Sequence, residues 1–229
     1  MKNIVKLLVI FIITCNYSVY SQKSKKAKKD YKYLLYLPKE DLKLKDGFPL
    51  VIYLHGASCK GSNINKLKKY GLPYYVSKGS QYDFIIVSPQ CPSNKSWLSE
   101  NWFDPIYDAL TSKYKIDSSR VYVIGMSMGG YGAWHLALEN PDKIAAIVPL
   151  CGGCYDSTRI CNINRIPVWA IHGALDKAIP IYETEKLVAK LLACNAPVKY
   201  TRVEDRGHNI ANYFGRKEIY EWLLEQKKK

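Results

Sequence analysis

Residues 121–139 read VYVIGMSMGGYGAWHLALE and decide the fold class. The apolar run VYVI is followed at once by Gly125-Met126-Ser127-Met128-Gly129, and then by a segment rich in Gly and Ala that is typical of a closely packed helix. A Gly-x-Ser-x-Gly turn between a buried strand and a helix exposes the serine hydroxyl above the edge of the sheet. The flanking glycines are needed because a Cβ at either position would collide across the turn. We therefore predict that Ser127 is a nucleophile.

Short apolar runs recur on both sides of this turn. Runs bounded by Gly, Pro and Ser without regular polar alternation are typical of strands buried on both faces of a parallel sheet. The predicted buried strands are PLVIYLH (49–55), FIIVS (84–88), VYVIG (121–125), IAAIVPL (144–150) and PVWAIH (167–172). The segment 31–38 predicts an early edge strand or hairpin arm, and 198–203, of mixed polarity, predicts a last strand near an edge.

Helical patterns fill the intervals between these strands. Apolar residues recur at helical spacing in four segments, which are 102–114, 128–139, 183–194 and 216–226. Because strand and helix alternate, the sequence predicts the α/β class, with three layers around one mostly parallel sheet. No internal repeat or linker divides the chain, which indicates a single domain.

The net charge of +14 on 229 residues is the unusual feature of the composition. The 48% of hydrophobic residues exclude wholesale disorder, collagen-like repeats and a multi-span membrane protein. Nine of the net charges lie in residues 1–30 and 227–229, so residues 31–226 carry only about +5. We expect no nucleic-acid partner. The lysine clusters are interpreted as solvated termini, with loose attraction to an acidic surface or polymer as the alternative.

The first 21 residues predict a secretory signal peptide. A basic start, MKNIVK, precedes the apolar run LLVIFIIT (7–14), which is too short to span a bilayer. Small residues suit cleavage before Gln22, because Val19 and Ser21 stand at the −3 and −1 positions.

A lipid-modified Cys15 is the alternative to cleavage before Gln22, although Thr14 is a poor residue before such a cysteine. In either case we expect an exported protein, periplasmic or extracellular, with no stable membrane insertion after processing. Residues 22–30 are then a basic tail, and 31–229 form the single domain.

A serine hydroxyl needs a base that takes its proton. Only His208, in the polar loop DRGHN (205–209) after the last strand, fits the chain order Ser…Asp…His. The other histidines of the sequence are His55, His135 and His172.

The base in turn needs a carboxylate that orients it. Asp176 follows a predicted strand in GALDKAIP (173–180), so it lies at the carboxyl ends of the strands. Asp205 would have to fold back locally onto His208, and Asp156 has no strand end to position it. We therefore favour Asp176.

Two backbone N–H groups are expected to bind the negative charge that develops on the substrate. Met128 follows the nucleophile and begins a helix, whose dipole adds to the effect. The second N–H is assigned to Ala57, in the turn after strand 49–55. His55 is then a structural residue that holds this turn.

Six cysteines remain after removal of the signal peptide, and an oxidising compartment permits disulfides among them. Cys154–Cys161 is the expected disulfide, although six cysteines allow 15 pairings. Buried free thiols are the expectation for Cys91, Cys151 and Cys194. The pair Cys151-Gly-Gly-Cys154 has no second CxxC and no histidine at ligand spacing, so no metal is expected. No organic cofactor is expected either.

Seven motifs run in the order seen in a known family. They are LYLP, VIYLHGAS, KGSNINKLKKYGLP, FIIVSPQCP, YKIDSSRVYVIGMSMGGYGAWHLALENPDKIAAIVPLCGG, VWAIHGALDKAIP and DRGHN. The chain resembles α/β-hydrolase serine esterases of the dienelactone-hydrolase and phospholipase/carboxylesterase type, near secreted feruloyl and acetyl-xylan esterases. The resemblance implies the three-layer α/β-hydrolase fold, a triad of Ser127, Asp176 and His208, and N–H groups of Met128 and Ala57 at the oxyanion.

Two departures from that family concern the substrate: the first argues against dienelactones, and the second leaves the acyl side of the pocket open. Dienelactone hydrolases proper use a cysteine nucleophile, whereas this chain has Ser127. Many relatives carry an acidic and a basic residue where this chain has Ser58-Cys59-Lys60.

The expected activity is hydrolysis of short or aromatic acyl esters of carbohydrates, with a small-molecule or polysaccharide ester as the substrate, through an acyl-enzyme. Because no large lid is evident, we expect a shallow, open site. One alternative is a serine peptidase of the prolyl-oligopeptidase kind, whose large extra domain has no room in 229 residues. The other is a non-catalytic carbohydrate-binding protein in which Trp97 and Trp102 stack on sugars. The oligomeric state and the exact acyl and alcohol groups stay open.

Overall fold

The computed structural model describes residues 23–26, 31–38 and 44–228. Within these ranges eight strands form one sheet in the order β1-β2-β4-β3-β5-β6-β7-β8. The strands are β1 (Lys23–Lys26), β2 (Lys32–Tyr36), β3 (Phe48–Leu54), β4 (Ile85–Pro89), β5 (Ile116–Met126), β6 (Ala146–Leu150), β7 (Val168–Gly173) and β8 (Val198–Val203). The six strands from β3 to β8 pair in parallel, and β2 joins β4 and β1 in antiparallel pairs. The predicted α/β class with a mostly parallel sheet is confirmed.

Five α-helices lie in the described part of the chain: α1 (Gly71–Ser77), α2 (Phe103–Thr111), α3 (Met128–Glu139), α4 (Tyr182–Ala193) and α5 (Lys217–Glu225). Short 3₁₀ segments cover Ala57–Cys59, Ile64–Lys69, Ile160–Ile163 and Ala211–Gly215. Among the described residues, no helix combines the length and apolar character that crossing a bilayer requires.

The side chains of the central strands alternate between two cores. In β3, Leu50 and Ile52 face a core that also contains the apolar residues of α2, α3 and α4. Val51 and Tyr53 face a second core, shared with α1 and α5. Successive strand residues point to opposite faces, so helices cover both sides of the sheet and produce three layers.

The structure corrects the interpretation of the basic tail. Residues 23–26 form β1, which pairs with β2 and gives the sheet its outermost strand on that side. Without β1, the outer edge of β2 would present unpaired backbone groups. At the other terminus, the Lys228 N–H donates to the Ser119 carbonyl (2.9 Å), so the backbone of Lys228 is bound to the domain. The predicted signal peptide (1–21) and Cys15 lie outside the described residues.

The disulfide expectation is wrong. Cys161 is bonded to Cys194, with Cα atoms 5.9 Å apart, and Cys154 is a buried free thiol. Cys161 lies on the 3₁₀ segment Ile160–Ile163, which packs against α4, and Cys194, which was expected to be a free thiol, directly follows α4. This helix contact brings together two cysteines that are far apart in sequence. Cys91 and Cys151 are buried and free, as expected.

Candidate active site

Ser127 stands on a strained turn between β5 and α3. Its φ of 60° and ψ of −123° lie in a region that residues with a Cβ rarely adopt. The turn is so closely packed that a Cβ at Gly129 would overlap the Leu54 carbonyl, and a Cβ at Gly125 would overlap the carbonyl of Gly129. The Ser127 N–H donates to the Leu150 carbonyl of β6 (2.9 Å), which fixes the turn to the neighbouring strand. The predicted reason for both glycines therefore agrees with the packing.

The structure brings Ser127, His208 and Asp176 into one hydrogen-bonded chain. His208 Nε2 lies 2.9 Å from Ser127 Oγ, and His208 Nδ1 lies 2.7 Å from Asp176 Oδ2. Because a carboxylate can only accept, Nδ1 carries the ring proton and Nε2 accepts from the serine hydroxyl. The three residues come from loops that follow β5, β7 and β8 at the carboxyl edge of the sheet. In this arrangement the imidazole can take the hydroxyl proton as the oxygen attacks.

Asp176 is held as a carboxylate. Burial acts to raise its pKa, but the Ile179 N–H, the His208 ring and the Ala178 N–H outweigh burial and set the pKa below its ordinary value. Both backbone N–H groups donate to Oδ1, at 2.8 Å from Ala178 and 2.9 Å from Ile179. The local turn thus fixes one oxygen and leaves the other, Oδ2, for the imidazole.

The loop after β3 packs directly against the serine. A Cβ built on Gly56 would lie 3.6 Å from the Cβ of Ser127, and Ala57 begins the 3₁₀ segment that follows. On the other side of the serine, Met128 is the first residue of α3, and the first N–H groups of a helix have no acceptor within it. Ala57 and Met128, which the sequence predicts to bind an oxyanion, therefore belong to the two segments that adjoin Ser127.

His55 fixes that loop. Its Nε2 accepts a hydrogen bond from the Cys91 N–H (3.0 Å), and its Nδ1 donates to the Gly56 carbonyl (2.7 Å). The His55 carbonyl accepts from the indole N–H of Trp97 (2.9 Å). Burial lowers the pKa of His55 to about 4, so the ring is neutral at physiological pH, as these donor and acceptor roles require. His55 is structural, as the sequence indicated.

A second histidine, to which the sequence pattern assigns no role, contacts Asp176. His172, the next-to-last residue of β7, is fully buried, and its Nε2 lies 3.2 Å from Asp176 Oδ2 and 3.0 Å from the Ile179 carbonyl oxygen. Since both neighbours only accept, the proton of the neutral ring lies on Nε2. Nδ1 faces the Thr184 hydroxyl (2.7 Å), and burial lowers the His172 pKa. Its place at the carboxyl end of a predicted strand puts His172 at this edge of the sheet, but nothing in the sequence indicates the direction of its ring.

Cys151 completes the cluster around Asp176. Within the described residues, ligand atoms of Cys151, His172 and Asp176 lie within 4.8 Å of one another. Burial raises the pKa of Cys151 to about 12, so the thiol stays protonated, whereas a metal binds the thiolate. His172 Nε2 carries a proton, and Oδ1 of Asp176 accepts two N–H groups. These donors therefore fit a hydrogen-bonded cluster and do not fit a metal ion.

Other candidates from the sequence lie elsewhere. Asp205 is exposed and pairs with Arg206 (3.5 Å), and Asp156 accepts from the Thr158 hydroxyl. Trp97 and Trp102 are 1% and 3% exposed and pack on each other, so they cannot stack on a sugar. The alternative in which these tryptophans bind carbohydrate is therefore wrong, because both indoles belong to the core that α2 covers.

Comparisons with known proteins identify the family of the chain. The phospholipase/carboxylesterase family model matches residues 101–219, just over half of the chain. The chain is 31% identical over 123 residues to poly(3-hydroxyalkanoate) depolymerase C of Paucimonas lemoignei, covering 47% of this chain and 28% of that protein. It is 28% identical over 143 residues to the bifunctional acetylxylan esterase/xylanase XynS20E of Neocallimastix patriciarum, covering 60% of this chain and 20% of that protein.

A solved structure extends the likeness to almost the whole chain. The crystal structure of a thermostable esterase superposes with a TM-score of 0.75 at 28% identity, covering 92% of this chain and 64% of that one. The chain spans less than a third of the length of the two curated relatives. The strand–turn–helix at Ser127 and the comparisons lead to one conclusion: the chain belongs to the phospholipase/carboxylesterase family of α/β-hydrolases.

Proposed function

We propose that this protein is an exported serine esterase that cleaves short or aromatic acyl groups from carbohydrates. The observation that carries the proposal is the hydrogen-bonded chain from Ser127 Oγ through His208 to Asp176, with distances of 2.9 and 2.7 Å. Each link has the direction that nucleophilic catalysis requires, because the carboxylate fixes the tautomer that leaves Nε2 free to accept.

In the first half of the reaction, Ser127 Oγ attacks the ester carbonyl carbon while its proton passes to His208 Nε2. The negative charge moves to the carbonyl oxygen, where the N–H groups of Met128 and Ala57 stabilise it. Asp176, an anion at neutral pH, stabilises the imidazolium that forms. The intermediate collapses as His208 gives its proton to the departing alcohol oxygen, which leaves Ser127 acylated.

In the second half, water takes the place of the alcohol. His208 Nε2 accepts a proton from the water as its oxygen attacks the acyl carbon. The new tetrahedral intermediate expels Ser127 Oγ, which recovers its proton from His208. The products are a carboxylic acid and the free enzyme.

The surroundings of the serine support substrates with a bulky alcohol. The His208 side chain is 30% exposed, and Leu175, next to Asp176, is 61% exposed. A site open on this side admits an ester attached to a large carbohydrate. The relative whose printed name includes acetylxylan esterase supports an acetyl group on a polysaccharide.

Export is supported by chemistry as well as by the basic and apolar start of the sequence. The Cys161–Cys194 disulfide is typical of proteins that function outside the reducing cytoplasm. The proposal includes removal of residues 1–21.

A covalent probe tests the proposed nucleophile. A fluorophosphonate should add to the purified protein once, and peptide mass spectrometry should place the adduct on Ser127. Labelling at another residue, or none, contradicts the assignment. A panel of acetyl, feruloyl and long-chain esters with an aminoacyl-nitroanilide then separates the substrate classes. Preference for acyl chains beyond about eight carbons would contradict an open site, and turnover of the anilide alone would indicate a peptidase.

A further inference from the structure

Two tyrosine rings, one exposed and one partly buried, pack on each other near the turn that carries the proposed nucleophile. Tyr155 is 76% exposed, the highest value among the large hydrophobic side chains that the structure describes as exposed. Its ring packs on the half-exposed ring of Tyr131, with centroids 4.9 Å apart and planes inclined by 39°. We call Tyr131 and Tyr155 the tyrosine platform. Since burial does not account for the position of Tyr155, the ring presents a flat apolar face to solvent.

Backbone contacts connect both tyrosines of the platform to the turn at Ser127. Tyr131 stands one turn into α3, and its N–H donates to the Ser127 carbonyl (3.0 Å). Tyr155 follows the loop that leaves β6 at Leu150, the residue whose carbonyl accepts from the Ser127 N–H. A Cβ on Gly152 would overlap the backbone of Gly130, so this loop lies directly on the first turn of α3. The hydrogen bonds at Ser127 and the close contact between this loop and α3 therefore fix the position of the platform relative to the nucleophile.

Polar groups border the rings. A Cβ built on Gly153 would lie 2.9 Å from the Tyr131 hydroxyl oxygen and 3.0 Å from Glu183 Oε2, which places both oxygens at one edge of the platform. Lys186 Nζ lies 2.7 Å from the same Glu183 oxygen. A flat apolar face with hydroxyl, carboxylate and ammonium groups at its edge suits a ring that is apolar on its faces and carries hydroxyls around its rim.

A pyranose has this form, because its axial C–H groups make an apolar face and its hydroxyls project outward. We propose that the tyrosine platform is the subsite for a pyranose ring of the polysaccharide that carries the ester. The inference rests on the proposed function for the position of the ester, and it names the alcohol side of the substrate. Tyr155 supplies the stacking face, and Glu183 accepts hydrogen bonds from the sugar hydroxyls.

Binding of sugars without an ester tests the platform independently of catalysis. Hexasaccharides of β-1,4-linked xylose, mannose and glucose are titrated into the protein by calorimetry. At least one should bind, and Tyr155→Ala should weaken that binding by about 10-fold, the scale of one well-placed aromatic contact. Tyr155→Phe should retain binding, because it keeps the ring. Tyr74 is an exposed tyrosine on α1, on the opposite side of the sheet. Its replacement, Tyr74→Ala, is the matched control and should bind the sugars like the wild type.

Kinetics provide the second readout. The ratio of kcat/KM on acetylated xylan to kcat/KM on p-nitrophenyl acetate should fall about 10-fold in Tyr155→Ala and stay constant in Tyr74→Ala. Failure of all three hexasaccharides to bind, or equal binding by Tyr155→Ala, overturns the platform. If Tyr155→Ala lowers kcat/KM on methyl ferulate alone, the rings bind an aromatic acyl group, and the proposed pyranose subsite is overturned. If the wild type hydrolyses no ester yet binds a hexasaccharide through Tyr155, the proposed function fails and the platform stands.

Discussion

His172 Nε2 lies 3.2 Å from Asp176 Oδ2, the same oxygen that accepts from His208 Nδ1 at 2.7 Å. The carboxylate therefore stands between two imidazoles, one buried and one partly exposed to solvent. The proton on the buried ring lies on Nε2, so His172 gives Oδ2 a second donor. We infer that His172 is a positioning residue, because it acts on His208 only through Asp176.

Replacing His172 separates this role from simple packing. His172→Phe removes the donor to Oδ2 and leaves the Ile179 carbonyl unsatisfied, so kcat on p-nitrophenyl acetate should fall about 10- to 100-fold with little change in KM. His172→Gln keeps an amide donor and should recover part of the loss. A folded His172→Phe variant with unchanged kcat would show that the contact has no catalytic consequence.

Asp176→Asn tests the orienting carboxylate itself. The Asn oxygen can still accept from the Ala178 and Ile179 N–H groups, so the fold should persist, but the amide no longer stabilises an imidazolium. We expect kcat to fall by roughly 10⁴, the scale of the equivalent change in a serine protease. Steady-state kinetics and circular dichroism measure the two effects. The matched variant Asp205→Asn, on the exposed side of the same loop as His208, should retain activity.

The neutral state of His55 predicts how stability changes with pH. Its pKa is about 4 in the folded protein, whereas an exposed imidazole has a pKa of about 6.5, so the unfolded chain binds the proton more tightly. The stability gained from His55 is thus complete above pH 6.5 and is lost as pH falls toward 4. Between pH 7 and pH 5 the free energy of unfolding should drop by about 2 kcal/mol from this residue.

Urea unfolding at the two pH values measures that drop. Burial also lowers the pKa of His172, which destabilises the fold in the same direction as pH falls. The drop in the free energy of unfolding of the wild type should therefore exceed the contribution of His55 alone. His55→Gln keeps an acceptor for the Cys91 N–H and should reduce the pH dependence. An equal slope in wild type and variant would contradict a buried, neutral His55.

The Cys161–Cys194 bond closes a loop with a sequence separation of 33 residues. Removing it with the pair Cys161→Ser and Cys194→Ser should lower the free energy of unfolding by about 2–4 kcal/mol, because the unfolded chain gains freedom. Peptide mapping without reductant should recover these two cysteines linked. A Cys154–Cys161 peptide, or no loss of stability in the double variant, would contradict the pairing.

Much of the architecture was predictable because its signals are local. The strand VYVI, the glycines around Ser127 and the loop order that places Asp176 before His208 all follow from adjacent residues. The carboxyl ends of parallel strands meet at one edge, so residues after β5, β7 and β8 were expected to converge there.

The features that could not be predicted from the sequence depend on side-chain direction and on packing between distant segments. Nothing in the sequence near His172 shows that its ring turns toward Asp176, and the pairing of Cys161 with Cys194 requires the contact between a 3₁₀ segment and α4. Helix α1 was missed because its seven residues include Pro73 and give too little periodicity. Trp97 and Trp102 resemble exposed binding residues by type, and only packing shows them buried.

The most direct test of the account is the rate of Ser127→Ala on p-nitrophenyl acetate, with folding checked by circular dichroism. If Ser127 is the nucleophile, kcat should fall by roughly 10⁵–10⁶, the scale measured for the catalytic serine of subtilisin. A folded Ser127→Ala protein that hydrolyses the ester at a rate comparable to the wild type would contradict the central claim.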